Sequence, residues 1–343
     1  MKKIIQLPFV TGVLFMSLLA ANIAQAQKIV VAHRGASGYL PEHTLEAKAM
    51  AYAMGAHYIE QDVVMTSDDK LIVLHDITLD RTTDVATRFP GRSREDGRHY
   101  AVDFTLEEIR SLAVREGVRN RNGSESAIYD QRFPVGKSSF RVSTLAEEIE
   151  MIQGLNRSTG RDVGIYPEVK SPAFHRAEGK DLSTALITTL KDYGYTSKSD
   201  KVFVQTFEFD ELVIIHDEIL PAVGVELNLV QLLSNDEDYE WMMEPGGMRT
   251  VAAYADGVGP DKSIIIASET PRGQVSPSNF VELAHANGMQ VHPYTFRLDT
   301  GQVPDYAENF EDLLRLFYVE ADVDGVFTDF PDRAVKYLQS NGN

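Results

Sequence analysis

Two histidines and an arginine stand where apolar stretches end in the first quarter of the chain. His33 and Arg34 directly follow the stretch 28–32, and His75 directly follows the stretch 71–74. A neutral imidazole can take a proton from an attacking oxygen, and a protonated imidazole can give one to a departing alkoxide. Arginine offers a planar fork that matches two phosphate oxygens. The sequence therefore predicts acid–base chemistry on a phosphate ester, with His33 as base, His75 as acid and Arg34 as phosphate ligand.

Three carboxylates have the spacing expected of a metal site. Glu60 and Asp62 lie two residues apart in the apolar stretch 57–65, so they share one face of a predicted strand. Glu168 and Lys170 have the same spacing at the end of a third stretch, where a simple surface ion pair is the alternative. Carboxylates in a chain without cysteine suit a hard cation, Ca²⁺ first and Mg²⁺ second, rather than zinc. The cation and Lys170 would stabilise the charge that grows on a phosphodiester during attack.

The apolar pattern predicts eight strands that place these residues at their C-terminal ends. Helices are predicted between most strands, among them 182–193, 209–219, 278–287 and 308–320. This alternation is typical of a (β/α)8 or TIM barrel, an α/β fold whose strand ends meet in one site. A doubly wound open sheet gives the same local pattern, but polar residues at so many strand ends favour the barrel. The predicted strands are 28–32, 57–65, 163–168, 202–206, 222–227, one within 256–266, 290–295 and 324–328.

Side chains near the later strand ends are candidates for a substrate wall. Gln205 and Phe207 share a face at the end of the fourth predicted strand, and Tyr294 lies in the stretch that closes the seventh. Aromatic side chains on barrel strands serve either as core or as a ligand platform. Both interpretations of Phe207 and Tyr294 therefore stay open.

One segment interrupts the alternation of strands and helices. Residues 84–143, after the second barrel strand and its return strand 71–74, are charged and glycine-rich, with a single helical piece expected at 105–114. A TIM barrel needs roughly 250 residues, so a chain of 343 residues leaves room for such an insertion. The insertion is either a solvent-exposed loop without a role in the site or a lid over the C-terminal face of the barrel.

Residues 1–26 have the pattern of a signal peptide. Lys2 and Lys3 precede the apolar stretch 4–21, and Ala24-Gln25-Ala26 resembles a cleavage site. The mature chain would be one TIM-barrel domain, residues 27–343, in the periplasm or secreted, with no membrane anchor. A retained anchor is the alternative, which interruptions of the apolar stretch disfavour. Because there is no cysteine, the chain can form neither a disulfide nor a lipid-modified cysteine.

The charge balance limits the classes of partner. The formal net charge is −18, and loss of the leader, whose only charges are two lysines, would make it −20. Such a charge argues against binding nucleic acid or an anionic membrane surface and is compatible with a metal cation. The sequence leaves the oligomeric state open, a homo-oligomer included.

Several short motifs occur in order along almost the whole chain. They are His33-Arg34-Gly35, Pro41-Glu42-His43-Thr44, Glu60-Gln61-Asp62, His75-Asp76, Leu79-Asp80-Arg81-Thr82-Thr83, Asp103-Phe104-Thr105-Leu106, Pro167-Glu168-Val169-Lys170 and residues 324–331. Together they resemble the glycerophosphodiester phosphodiesterase family, in particular its periplasmic branch, although many relatives have asparagine where this chain has His43. The resemblance implies a TIM barrel and metal-dependent hydrolysis of glycerophosphodiesters, the small-molecule products of phospholipid deacylation, to glycerol 3-phosphate and an alcohol. It also implies contacts to the glycerol from the region of the later strands.

Two other functions and two nucleophiles are compatible with the same residues. A phospholipase D-like barrel acting on intact lipid would need an apolar, membrane-seeking loop, and the acidic sequence has no evident one. A surface-binding protein on the same barrel would have no need to keep the full set of histidines and carboxylates. In the hydrolytic interpretation, the attacking oxygen is either water or the substrate's own glycerol hydroxyl, which would give a cyclic phosphate first.

Overall fold

The computed structural model describes residues 27–121 and 124–342. The predicted signal peptide, residues 1–26, lies outside this range. Among the described residues, no helix combines the length and the apolar character needed to cross a membrane.

Strands and helices alternate along the described chain. The strands are β1 (Ile29–Ala32), β2 (Tyr58–Met65), β3 (Leu71–Val73), β4 (Val118–Arg121), β5 (Ser124–Ala127), β6 (Gly164–Val169), β7 (Phe203–Thr206), β8 (Asn228–Leu233), β9 (Gly257–Pro260), β10 (Gln290–Val291) and β11 (Gly325–Thr328). The helices are α1 (Leu45–Ala53), α2 (Val85–Arg88), α3 (Leu106–Arg110), α4 (Leu145–Thr159), α5 (Pro172–Ala177), α6 (Leu182–Asp192), α7 (Phe209–Ile214), α8 (Leu220–Val223), α9 (Glu240–Met243), α10 (Pro245–Val251), α11 (Lys262–Ile265), α12 (Phe280–Ala286), α13 (Phe310–Arg315) and α14 (Pro331–Ser340). Short 3₁₀ segments cover Ala101–Asp103 and Glu237–Tyr239, and π-helical turns cover Ile215–Ile219 and Leu316–Glu320.

Eight parallel strands form the predicted TIM barrel. The strand order is β10-β9-β8-β7-β6-β2-β1-β11, while β3 pairs with β2 in antiparallel fashion outside this path. Backbone hydrogen bonds close the circle, because the amide of Asp324 donates to the carbonyl of Val291 and that of Phe327 donates to the carbonyl of Pro293, both at 3.0 Å. The barrel, and not the open sheet, is therefore the fold.

The prediction for the fifth barrel strand was wrong. Residues 222–227 alternate like a strand, but the helix that begins at Phe209 continues through a π-helical turn to Val223. Gly224 then ends the helix with φ of +76°, and the strand follows at Asn228–Leu233. The region 256–266 also divides, since β9 stops at Pro260 and α11 follows. The helical piece expected at 105–114 is shorter, at Leu106–Arg110.

The pleat of β2 directs the two acids into the barrel. Ile59 and Val63 belong to the apolar core between the strands and the helices, so Glu60 and Asp62 point to the opposite, inner side. Below them, aromatic rings fill the barrel, with Tyr166 and Phe203 stacked at a centroid distance of 5.0 Å. The packed rings give the cavity at the C-terminal end a floor.

The segment 84–143 packs on the C-terminal end of β2 and β3 through apolar contacts. Phe104 and Ile109 of the segment are fully buried, in one cluster with Val64 of β2 and Ile72 of β3. A capping box at Thr105 and Glu108 begins α3. Although its composition suggests a solvated loop, the segment thus has a core that it shares with the barrel.

A tight turn after β1 directs His33 and Arg34 toward the barrel axis. Gly35 has φ of +88°, and a Cβ atom there would lie 2.8 Å from the carbonyl carbon of Ala47 in α1. The amide of Ala36 donates to the carbonyl of Ala47 at 2.9 Å, so the turn and the helix are in direct contact. Only glycine combines this backbone conformation with this approach.

We expect the substitution Gly35→Ala to destabilise the protein more than Gly160→Ala. Both glycines have positive φ, but no atom lies within 4 Å of a Cβ at Gly160, the C-cap of α4. Gly160→Ala should cost about 1–2 kcal/mol for the left-handed backbone, and Gly35→Ala should cost a further 1–3 kcal/mol or so for the clash. Urea denaturation measures both values. Equal losses would show that the contact with Ala47 imposes no constraint.

Candidate active site

One cavity at the C-terminal ends of the barrel strands contains all of the site residues that the sequence predicted; we call it the mouth cavity. Its lining includes His33, Arg34, Glu60, Asp62, His75, Glu168, Lys170, Gln205, Phe207 and Tyr294. These residues come from six parts of the sequence, and the barrel brings them together. Lys262 and Arg297 line the same cavity and were not among the predicted site residues.

Glu60, Asp62 and Glu168 fit a divalent cation. Asp62 of β2 pairs in register with Glu168 of β6, and the three carboxylates each offer an oxygen within 4.8 Å of the others. All three residues are buried, and Oδ1 of Asp62 has no hydrogen-bond partner among the described residues. Three clustered, hard oxygen donors with an unused buried acceptor suit Ca²⁺ or Mg²⁺.

The protonation of the three carboxylates reflects their crowding. Burial and the charge of Asp62 raise the pKa of Glu60 well above its ordinary value, and burial raises the pKa of Glu168 to about 8. Burial opposes ionisation of Asp62 as well, but Lys170 and His43 hold its pKa well below the usual range. Adjacent negative charges are therefore unfavourable in this buried cluster, and a divalent cation would offset that cost.

His43, whose role the sequence left open, orients Asp62. Its Nε2–H donates to Oδ2 of Asp62 at 2.7 Å, and Nζ of Lys48 donates to its Nδ1 at 3.2 Å. Burial and the charge of Lys48 lower the pKa of His43 to about 3, so the ring is neutral. His43 therefore positions the carboxylate of Asp62 by a hydrogen bond and does not itself line the mouth cavity.

Asp329 orients His33. Nδ1–H of His33 donates to Oδ1 of Asp329 at 2.5 Å, which leaves Nε2 on the side of Glu60, 3.9 Å from its Oε2. Oδ2 of the same aspartate accepts from Arg132 at 2.5 Å and from Arg297 at 2.9 Å. Burial opposes the charge of Asp329, but Arg297 and His33 hold its pKa well below the usual range.

Sequence reasoning missed Asp329 and Arg132 as parts of the site. Asp329 directly follows β11, so the rule that selected His33 and His75 would have found it too. Arg132 has no such signal, because it lies in the insertion, far from any predicted strand. Its guanidinium is fixed by Asp299 at 2.7 Å and by Asp329.

A chain of ion pairs orients His75. Nδ1–H of His75 donates to Asp76 at 2.6 Å, and Arg81 donates to the other oxygen of Asp76 at 2.6 Å. Arg81 also makes a bidentate pair with Glu42, at 2.6 and 3.0 Å. Glu42 in turn accepts from Arg34 at 3.1 and 3.2 Å. The predicted phosphate ligand and the predicted acid are thus parts of one network.

The two histidines have similar electrostatic surroundings. Burial and Arg34 lower the pKa of His33 to about 4, and burial, Arg34 and Lys170 lower that of His75 to about 4. Both rings are therefore neutral at pH 7, with Nδ1 protonated toward the aspartate and Nε2 available to accept a proton. The ring that serves as acid must be protonated, which the negative charge of a bound phosphodiester favours.

The remaining predicted residues have definite partners within the protein. Nζ of Lys170 lies 2.8 Å from Glu168 and 5.7 Å from the ring centroid of Phe207. Nε2 of Gln205 donates to Glu60 at 3.1 Å, so this amide also positions a carboxylate. The hydroxyl of Tyr294 donates to the carbonyl of Leu233 at 2.9 Å, which leaves the ring, edge-on to Phe207, as its exposed surface.

Comparisons with known proteins agree with this geometry. The model of the Glycerophosphoryl diester phosphodiesterase family matches residues 33–333. The chain is 45% identical to a glycerophosphodiester phosphodiesterase of Haemophilus influenzae over 93% of each chain, and 40% identical to one of Treponema pallidum over 95% of this chain and 96% of the relative.

Solved structures share the fold. A putative glycerophosphoryl diester phosphodiesterase of Silicibacter pomeroyi superposes with a TM-score of 0.64 at 22% identity, covering 92% of this chain and 95% of that one. A phosphodiesterase of Oleispira antarctica, solved in complex with the product sn-glycerol-3-phosphate, gives a TM-score of 0.61 at 20% identity, covering 91% and 97%. With a family model that matches nearly all of the described residues and two relatives at 40% identity or more, this chain belongs to the glycerophosphoryl diester phosphodiesterase family.

Proposed function

We propose that this enzyme hydrolyses glycerophosphodiesters to glycerol 3-phosphate and an alcohol in the mouth cavity. One observation carries the proposal: a buried trio of carboxylates stands in the same cavity as two histidines, each oriented by its own aspartate. The activity named for the relatives in Haemophilus influenzae and Treponema pallidum supports it. An enzyme of this type depends on a divalent cation, which Glu60, Asp62 and Glu168 would hold.

The cationic side chains of the cavity bind and orient the phosphate. When bound, the divalent cation supplies Lewis-acid stabilisation of phosphate oxygens as negative charge grows on them. Arg34 contributes its guanidinium, which Glu42 holds on one side, and Lys170 contributes a point charge. Because these groups are fixed before the substrate arrives, little reorganisation accompanies the reaction.

The two histidines divide the proton transfers. We assign the base to His33, whose Nε2 takes a proton from the attacking oxygen, and the acid to His75, whose Nε2 gives a proton to the departing alkoxide. The side chain of His75 is 31% exposed and that of His33 only 8%, so His75 has the better access to solvent protons and to an outgoing alcohol. Water and the substrate's glycerol hydroxyl both fit as the nucleophile of this scheme.

The glycerol moiety packs on the aromatic side of the cavity in this proposal. Phe207 and Tyr294 meet edge to face at a centroid distance of 5.8 Å and present apolar surface beside Lys170. Such a surface suits the carbon face of glycerol, while nearby polar groups bind its hydroxyls.

We favour Ca²⁺ as the resident cation, with Mg²⁺ as the alternative. Ca²⁺ takes six to eight oxygen ligands in flexible geometry. Besides the three carboxylates, the carbonyl oxygen of Gln205 is buried without a partner among the described residues, and this residue lines the same cavity. Four protein side chains can thus offer oxygen ligands, which supports Ca²⁺, the larger of the two cations.

We also propose that the enzyme is exported to the periplasm or beyond. The support is the sequence of residues 1–26, with its basic start, apolar stretch and small residues before Gln27. N-terminal sequencing of the protein from a cell-envelope extract would test it. A first residue of Gln27 is expected, and an intact N-terminus would contradict export with cleavage.

We expect chelated enzyme to be inactive on sn-glycero-3-phosphoethanolamine and to regain activity with a divalent cation. Phosphorus NMR would follow the conversion of the diester resonance to that of glycerol 3-phosphate. Restoration at a lower concentration of Ca²⁺ than of Mg²⁺ is the expected order. Full activity in metal-depleted enzyme would contradict the proposed function.

The variant Asp62→Asn should lose both metal affinity and turnover. Its carboxylate is buried in the trio, so the loss should exceed the roughly 10- to 100-fold drop that follows removal of an outer-shell partner. Asp69→Asn is the matched control, because Asp69 lies in the turn after β2 with a side chain that is 71% exposed and forms a surface ion pair with Lys180. Calorimetric titration with Ca²⁺ measures the affinity. Equal affinity in the two variants would rule out Asp62 as a ligand.

The two histidine variants should respond differently to the leaving group. A phenolate departs without a proton, so His75→Ala should lose about 100-fold or more on glycerophosphoethanolamine but much less on a p-nitrophenyl phosphodiester. His33→Ala should be impaired on both substrates, because the attacking oxygen is the same. Steady-state kinetics on both esters decide the matter. The reverse ranking would exchange the two roles, and uniform losses would mean that neither histidine protonates the leaving group.

A further inference from the structure

A second cavity lies between the barrel and the insertion and shares a wall with the mouth cavity. The insertion contributes Glu116, Tyr129 and Arg132 to it. The shared wall consists of His33, Arg34, His75 and Arg297, which line both cavities. We call the second one the insertion cavity.

A phosphodiester has two ester arms, and the two cavities offer a place for each. The groups of the shared wall are those that bind phosphate and transfer protons in the proposed mechanism. With the glycerol arm on the aromatic side of the mouth cavity, as proposed above, the insertion cavity is a space available to the other arm, which carries the departing alcohol.

Glu116 differs from the other carboxylates of the insertion cavity. Glu42 pairs with Arg34 and Arg81, Asp76 with Arg81 and His75, and Asp329 with Arg132 and Arg297. Among the described residues, Glu116 has no ion pair within 4 Å, and its Oε2 has no hydrogen-bond partner although the residue is only 5% exposed.

An isolated buried carboxylate is costly unless a ligand neutralises it. Burial raises the pKa of Glu116 to about 7, with Glu42 and Asp329 adding to the rise and Arg132 opposing it. The guanidinium of Arg132, whose charge opposes this rise, is already held by two aspartates. The unpartnered oxygen of Glu116 and the place of this residue in the lining of the insertion cavity are compatible with a cationic ligand.

We propose that Glu116 binds the ammonium group of a cationic head-group alcohol, of the ethanolamine type, in the insertion cavity. The enzyme accordingly favours glycerophosphodiesters with a positively charged leaving alcohol over those with a neutral polyol. This inference rests on the proposed function, because it assigns the second ester arm of the same substrate.

The test compares two substrates in three proteins. The kcat/KM values for glycerophosphoethanolamine and glycerophosphoglycerol are measured for the wild type, Glu116→Gln and Glu107→Gln. Glu107 is an exposed residue of α3 in the same insertion, so its variant controls for the loss of one charge. The ratio of ethanolamine ester to glycerol ester should fall about tenfold in Glu116→Gln, the equivalent of one charge-assisted hydrogen bond. It should stay unchanged in Glu107→Gln.

The outcomes separate the inference from the function on which it rests. An unchanged ratio in Glu116→Gln, or an equal loss on both esters as from a purely structural role, would overturn the head-group assignment while the hydrolase stands. If the wild type cleaves neither ester with any divalent cation, both proposals fail.

A second measurement needs no variant and covers the case in which Glu116→Gln does not fold. Free ethanolamine and ethylene glycol have the same length and differ in the ammonium group. Ethanolamine should inhibit hydrolysis of glycerophosphoglycerol by the wild type at a concentration about tenfold lower than ethylene glycol does. Equal inhibition, or none by either compound up to high millimolar concentration, would overturn the assignment.

Discussion

Buried carboxylates crowd the mouth of the barrel, and the site depends on how each of them is neutralised. Lys170 and His43 stabilise the charge of Asp62, while Arg297 and Arg132 stabilise that of Asp329. Burial raises the pKa values of Glu60 and Glu168, and for Glu168 it outweighs the effect of Lys170 at 2.8 Å. A bound divalent cation would replace protons on Glu60 and Glu168 and so neutralise the negative charge of the cluster. The electrostatics of the folded chain thus favour a bound divalent cation at this cluster.

Pairing of aspartates with cationic side chains also fixes His33 and His75, the two histidines to which we assign the proton transfers. Each histidine donates Nδ1–H to an aspartate that an arginine also contacts, so the ring orientation and the tautomer are set together. The insertion contributes Arg132, which pairs with Asp329, and it also lines the insertion cavity. The segment 84–143 is therefore tied to the chemistry of the site, although its composition alone is also typical of a solvated loop.

Local patterns in the sequence predicted the residues that line the mouth cavity because their positions obey simple geometry. Period-two spacing places Glu60 and Asp62 on one face of β2, and the alternation of strands with helices brings the ends of distant strands together. Pairings across the chain could not be predicted in this way. His33 and Asp329 are 296 residues apart, and Arg132 reaches Asp329 from a segment without any periodic pattern. The misplaced fifth strand has a similar cause, since residues 222–227 alternate like a strand and only the packing of the long helix before them decides otherwise.

A crystal structure with a divalent cation and sn-glycerol 3-phosphate bound tests the central claim most directly. We expect the cation in contact with oxygens of Glu60, Asp62 and Glu168, at about 2.3–2.6 Å if it is Ca²⁺. We also expect the phosphate beside Arg34, within reach of Nε2 of both histidines, and the glycerol against Phe207 and Tyr294. A cation bound away from the three carboxylates, or a phosphate out of reach of both His33 and His75, would contradict it.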